Sequence, residues 1–267
     1  GLEGQTFTGR WVFSSLYAPP PKNPRYHHLL QHFKGWVVQT PLATFDAEAA
    51  TFMDFRVAQQ GSVRFGYVLP FDARTALVEY TLFSPELLSP EAYDAGLREY
   101  LEGVLGLGNY RILETEFGII PMTDAPFIRR PSPHVMNIGM AGGRTKASTG
   151  YTFQRIQQQS RRIAEALAQT GQPFYPEPAF RRHALMDSVL LNVLEKQRSS
   201  GPKVFADLFR RNPPQRVLRF LDEETGWLED LQIMASVDIP AFAKAALDVL
   251  NMRLQRARLG EMPAKRG

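Results

Sequence analysis

The chain has no cysteine, so disulfides, thiolate catalysis and cysteine-ligated metal sites are excluded together. It has no apolar run long enough for a membrane-spanning helix, and its first residues lack the charged-then-apolar layout of a signal peptide. A cytosolic location is the expectation. Neither a Gly-x-Ser-x-Gly elbow nor a P-loop occurs. Adjacent His27 and His28, with His32 nearby, have no carboxylate cluster around them, and adjacent histidines diverge in extended chain; they read as core or surface residues and not as metal ligands. Net charge is +4, and the whole excess lies beyond Asn251, where Arg253, Arg256, Arg258, Lys265 and Arg266 face only Glu261. No aromatic residue interleaves with this basic tail, which argues against nucleic acid and leaves an anionic lipid surface or plain solvation.

What is present is enough apolar sequence for a packed core in one or two domains: 44% of the 267 residues are hydrophobic and 22% charged. The most informative stretch runs from Ser62 to Ser84. Val63, Phe65, Tyr67 and Leu69 alternate, Pro70–Arg74 turns, and Leu77–Phe83 returns, the pattern of a β-hairpin. In the return arm Leu77, Glu79 and Phe83 share one face, while Val78, Tyr80 and Leu82 take the other. Glu79 is thus a lone carboxylate in a strand apolar on both sides. Such a group needs a cationic partner, with Arg56 and Arg64 as candidates, or holds its proton with a raised pKa.

Around the hairpin, Arg10–Ser15, His32–Thr40, Thr51–Ala58, Tyr110–Glu116 and Gly118–Met122 read as strands, and the close spacing predicts an antiparallel meander. Ser89-Pro90-Glu91 opens a helix with buried stripe Tyr93, Leu97, Tyr100 and Leu101. His134–Ile138 reads as a strand, Gly139–Gly143 as a glycine turn, and Thr149–Leu167 as a helix. That succession predicts backbone donors facing an anionic ligand. Beyond Gly171 the chain reads as helices, including 202–209, 214–224 and 240–256. The acidic run Asp222-Glu223-Glu224 ending one of them reads as a solvated face.

Six segments carry a family resemblance. Gln31–Gly35, Met53-Asp54-Phe55-Arg56, Tyr67–Phe71, Leu77–Thr81, Gly118–Thr123 and Ile138–Gly143 through Ser148–Tyr151 resemble, in order, the motifs of the flavin-dependent lycopene cyclases of bacteria. Plant members have Phe-Leu-Glu-Glu-Thr where this chain has Leu77–Thr81, and the first glutamate falls on Glu79. The resemblance implies an α/β (α+β) fold: a Rossmann-like FAD-binding domain represented by residues 1–30 and 126–170, an antiparallel-sheet substrate domain over 31–125, and helices over 171–267.

It further implies an intramolecular lyase that closes the ends of lycopene, or another linear carotene, into the β-ionone rings of β-carotene, with reduced FAD as a non-redox participant. Glu79 would be the acid-base group. Pro121, Met122, Gly139, Ala141, Gly142, Gly143, Thr149, Gly150 and Tyr151 would meet the cofactor; Asp54, Arg56, Tyr67, Phe71 and Tyr80 would line the substrate site. Asp54 and Arg56 are expected to orient that wall or the flavin ring rather than carry protons. The enzyme is expected to sit peripherally on the inner face of the membrane, with no metal. The family's Gly-x-Gly-x-x-Gly is missing, so the chain is expected to correspond to the C-terminal two thirds of a cyclase and to purify without flavin. A related flavoprotein oxidoreductase acting on isoprenoids or aromatics, and a non-catalytic lipid-binding fragment, remain as alternatives.

Overall fold

The structure, a computed structural model, describes Gly4 and residues 7–177 and 182–259. Lys265 and Arg266 of the basic tail, and Glu261, lie outside the described residues. The backbone is mixed α/β. Five strands form one antiparallel sheet: β2 (His28–Gln39), β3 (Thr51–Asp54), β4 (Val63–Pro70), β5 (Thr75–Ser84) and β6 (Arg111–Thr123), in the order β3-β4-β5-β2-β6. The tightly turned hairpin β4–β5 is as the alternation requires, and the strand expected after Tyr110 runs unbroken through Phe117 to Thr123. β1 (Val12–Ser14) pairs instead, in parallel, with β7 (Val135–Asn137).

Each face of the large sheet has its own core. On one side lies α1 (Pro90–Arg98), started by the Ser89 side chain accepting from the Ala92 amide at 3.3 Å with Pro90 in the first turn. The helix continues into a π-helical turn, Glu99–Val104, so that Tyr93, Leu97, Tyr100 and Leu101 are all enclosed against Val78, Tyr80 and Leu82. Two glycines make this possible: a Cβ on Gly66 would lie inside the ring of Tyr100, and one on Gly96 inside that of Tyr80. On the other side Phe65, Phe83, Leu29 and Met122 pack against Leu191 and Leu194 of α3 (Arg182–Glu195) and Phe205 of α4 (Gly201–Arg211).

The remaining helices are α2 (Phe153–Thr170), α5 (Pro214–Leu221), α6 (Trp227–Ala235) and α7 (Ile239–Arg258). α2 begins at Phe153, four residues after the expected start at Thr149, and α6 has no counterpart among the expected helices. Its Trp227, Leu228, Leu231 and Met234 are exposed, so apolar periodicity there marks a surface face and not a core stripe. The basic tail is only partly solvated: Arg256 lies 4.2 Å above the ring of Tyr26 and 3.6 Å from Asp124, and Arg253 reaches towards Ala184 and Ser188. Among the described residues no helix is long and apolar enough to cross a membrane.

Candidate active site

Pairing register places Tyr67, Glu79, Gly35 and Glu116 in one row across four strands. Residues directly opposite in a sheet share a face, so these four point to the side covered by α3 and α4. Gly35 has no side chain, and the neighbours on its two flanks are both glutamates. A Cβ placed on Gly35 would lie 2.8 Å from both Cγ and Oε1 of Glu116, which shows that the Glu116 side chain leans across the vacancy. There it hydrogen-bonds Glu79. Burial raises the Glu79 carboxyl, the bond to Glu116 and the Glu116 charge raise it further, and the Thr81 hydroxyl at 3.5 Å lowers it slightly; the result is a pKa pushed up to about 7. Neither Arg56 nor Arg64 is its partner. Arg64 points to the α1 side and bonds the Tyr80 hydroxyl at 3.1 Å.

Tyr67 flanks Glu79 on β4 and lines one cleft with Tyr151, which belongs to the loop before α2. Burial raises both phenols, that of Tyr151 to about 12, and neither ionises near neutral pH. The two rings join Phe52, Met53, Phe83 and Phe205 around an enclosed cleft of about 20 Å³, the space of roughly one water. A roomier groove of about 460 Å³ between α2 and Tyr175–Glu177 is lined by no residue of the sheet.

Several expected substrate-site residues lie elsewhere. Asp54 pairs with Gly66, on the α1 side, where it accepts from the Tyr100 hydroxyl at 2.9 Å and from Arg56 at 2.6 Å. The cause is a kink: Met53 has φ 52°, and the register of β3 shifts between Thr51 and Asp54, which turns Met53 inward and Asp54 to the opposite face. Arg56 is exposed. Burial works to raise the Asp54 carboxyl, but the Arg56 and Tyr100 bonds outweigh it and its pKa is lowered. Tyr80 is also on the α1 side, closed in by Gly96. Phe71 stands in the hairpin turn and is 63% exposed, too far round the tip to line the row that holds Glu79.

The cofactor-side residues are likewise divided. Met122 is fully enclosed in the core below Leu29 and Leu191, and Pro121 is buried beside it, so neither presents a surface to a ligand. The three glycine amides of this turn are used internally: Gly139 donates to Gln159 Oε1 at 2.9 Å, Gly142 to Ile138 and Gly143 to Met140. Ala141 is buried within the same turn. A Cβ on Gly142 would collide with the backbone of Asn137, so this glycine serves the tight return of the chain. The helix does not follow directly, since residues 144–152 intervene.

That intervening loop is where polar capacity remains. Thr152, the N-cap of α2, spends its hydroxyl on Gly150 and Thr145 and leaves the first turn without a side-chain cap. Gly150 (φ 74°) packs onto Gln31, whose Oε1 is buried with no hydrogen-bond partner. An orphaned acceptor beside an uncapped helix start fits the polar edge of a flavin; the glycine-turn amides do not.

Lys146 fixes the loop. Its side chain is buried, with Asp187 of α3 at 2.8 Å and Glu223 at 3.4 Å; Ser148 donates to Asp187 at 2.6 Å, and Arg155 lies 3.1 Å from Glu223. Glu223 is therefore an interior ion-pair partner and not part of a solvated face. Thr149 is buried in the loop, its amide bonded to Lys146. Sequence reading missed Glu116, Gly35, Gln31 and Lys146. The alternation Glu114, Glu116, Gly118 held the signal for Glu116, but only pairing across β2 brings it to Glu79.

Comparison with known proteins gives one family and a set of distant folds. A family model described as lycopene cyclase protein matches residues 2–247. No curated protein matches the chain significantly. Among solved structures, a geranylgeranyl bacteriochlorophyll reductase-like protein from Thermoplasma acidophilum is 12% identical, with TM-score 0.40 over 89% of this chain and 56% of that one. BrvH, a flavin-dependent halogenase from Brevundimonas sp. BAL3, is 14% identical, with TM-score 0.34 over 89% and 50%. The flavin-dependent monooxygenase PieE, in complex with FAD and substrate, is 16% identical, with TM-score 0.34 over 83% and 38%. The chain spans about half the length of the solved structures it matches.

Proposed function

Because the chain belongs to the lycopene cyclase family, we propose that it closes the linear ends of lycopene, or of another linear carotene, into β-ionone rings, with Glu79 carrying the proton. The observation that supports this most is Glu79 itself: a half-buried carboxyl on an apolar sheet face, with no cationic partner among the described residues, whose pKa is pushed up to about 7 by burial and by Glu116. General acid-base groups work best when their pKa lies near the operating pH.

In this reading the Glu79 proton forms a new C–H bond at the terminal double bond and leaves a tertiary carbocation. The next double bond attacks it to close the ring. The Glu79 carboxylate then removes a proton from a neighbouring carbon, which sets the ring double bond and restores the acid. Substrate and product are isomers, so no net electron transfer occurs. Apolar neighbours such as Phe33 and Leu77 offer the cation no nucleophile, and the ring of Tyr67 faces it, worth about 1–2 kcal/mol when desolvated. Since the cleft beside Tyr67 has room for about one water, the polyene end would reach Glu79 from the open flank on the β6 side, where residues 111–117 are exposed. Reduced FAD, when bound, would supply electron-rich, non-redox stabilisation of positive charge, and Gln31, Gly150, Tyr151 and the first turn of α2 are the residues that would hold it.

The proposal keeps residues 31–125 as the substrate-side unit, 1–30 with 126–170 as the cofactor side and 171–267 as the helical region. It also keeps a peripheral place on the inner face of the membrane. The exposed Trp227, Leu228, Leu231 and Met234 of α6 form an apolar face, and the half-exposed Arg219 of α5, paired with Glu229 of α6, adds a cation beside it, a surface suited to anionic lipid. The test is expression in a lycopene-accumulating host with mass analysis of the carotenoids. A cyclised product of unchanged mass supports the reading, and loss of that product in Glu79→Gln ties it to this residue. A product altered by two hydrogens or one oxygen would move the assignment to the flavoprotein oxidoreductases, and lycopene bound but unchanged would make the chain a lipid-binding module.

A further inference from the structure

The row Tyr67–Glu79–Gly35–Glu116 contains two acids where the proposed chemistry needs one. Glu116 sits on β6, the edge strand, and is exposed; nothing in packing calls for it to fold inward. An exposed glutamate opposite a glycine ordinarily extends into water, where its charge is best solvated. Here its Cγ and Oε1 instead occupy the space above Gly35 and bring the carboxyl to Glu79. Two carboxyls meet at hydrogen-bond range only when a proton lies between them, since two like charges at that separation repel strongly.

We propose that Glu116 is a positioning residue for Glu79: leaning through the gap left by Gly35, it shares the Glu79 proton and holds that carboxyl over the open flank where a polyene end would arrive. The inference rests on the cyclase reading for its role in turnover, though the pairing itself does not. The groups that face Glu79 are few. Tyr67 lies beside it on β4, Tyr151 stands behind Tyr67, Thr81 is two residues along β5, and Glu114 is one step from Glu116 on β6. Lys34, the nearest cation along β2, points to the other face and pairs with Asp94. Neither phenol ionises in the relevant range, so the charge that acts on Glu79 is that of Glu116.

The pairing also gives Gly35 a purpose that strand geometry alone does not. Glycine weakens a central strand, and Gly35 lies in the middle of β2, with neighbours on both sides. Any side chain there would occupy the place where the two carboxyls meet.

The test is a carboxyl-carbon NMR titration of the purified chain labelled at glutamate Cδ, with the Glu79 signal assigned by its loss in Glu79→Gln. Removing the Glu116 charge makes ionised Glu79 easier to form, so the Glu79 midpoint should fall by about one unit in Glu116→Gln and likewise in Glu116→Ala. At pH 7 that shift lowers the protonated fraction about fivefold, and ring formation at pH 7 should fall by the same factor and recover in more acidic medium. A Glu79 midpoint unmoved in both variants overturns the proposal, whatever the activity. If the parent forms no ring at all, the cyclase reading fails while the titration still decides the pairing.

Discussion

Asp54 and Glu79 project from opposite faces of the same sheet. Asp54 reaches towards α1, where Tyr100 and Arg56 bind it, and Glu79 towards α3 and α4, where Glu116 meets it. The two environments push the acids apart: Asp54 is held ionised by donors, Glu79 protonated by burial and a neighbouring acid. On the proposed reading their roles separate accordingly into structure and chemistry.

Asp54→Asn should therefore cost stability and spare the reaction. It removes the charged acceptor of both Tyr100 and Arg56, a loss of about 1–3 kcal/mol. Urea unfolding should show that loss, while carotenoid analysis at a temperature where the variant stays folded should show rings still formed. A variant of undiminished stability that forms no rings would reverse the assignment.

Glu79 should give the fold an unusual pH dependence. Its folded pKa, about 7, exceeds the ordinary carboxyl value of 4.5, so between those limits the native state keeps a proton that the unfolded chain has released. The stabilisation is complete below about pH 4.5 and disappears as the pH rises through 7. His32, buried between Ser84 and Tyr93 and lowered to about 4, acts in the opposite sense over part of this window, so the informative quantity is the difference between parent and Glu79→Gln. Urea midpoints measured from pH 4.5 to 8 should show the variant gaining on the parent as the pH rises.

Gly66→Ala should destabilise the α1 side without touching the acid row. The added methyl would overlap the Tyr100 ring and force it from its place under Leu97 and above Asp54. Overpacking of this kind costs about 1–3 kcal/mol. Thermal unfolding should record it, and the Glu79 titration should not move.

Leu228→Asp with Leu231→Asp should release the protein from membranes. Both residues are already exposed, so folding is spared while the apolar face of α6 is interrupted. Sedimentation with vesicles containing phosphatidylglycerol should carry down the parent at low salt and leave the double variant in the supernatant. Equal binding would exclude α6 as the docking face.

The hairpin was legible because period-two alternation with a proline-containing turn has one good solution, and it put Glu79 on the correct face. The face of Asp54 was not, because alternation counts residues and the Met53 kink inserts a reversal that no propensity announces. Likewise Glu116 lies 37 residues beyond Glu79 in sequence, and only the insertion of β2 between β5 and β6 makes them neighbours. The glycine turn was seen, but not that its three glycine amides would be consumed internally, since a turn's hydrogen bonds depend on φ at Gly139 and Gly143 rather than on glycine content. Lys146 gave no sequence signal; its partners come from helices far along the chain.

The Lys146 network also has a kinetic meaning. Its contacts join residues 39 apart, from Ser148 to Asp187, and 77 apart, from Lys146 to Glu223. Ordering such long intervening segments costs entropy before any contact is gained, a burden the sheet shares, since β2 and β6 join residues as far apart as His28 and Thr123. The loop that places Tyr151 against Tyr67 is thus secured only when α3 and the end of α5 have docked, and in unfolding it is released with them. Without those helices the acid row would have no wall behind Tyr67.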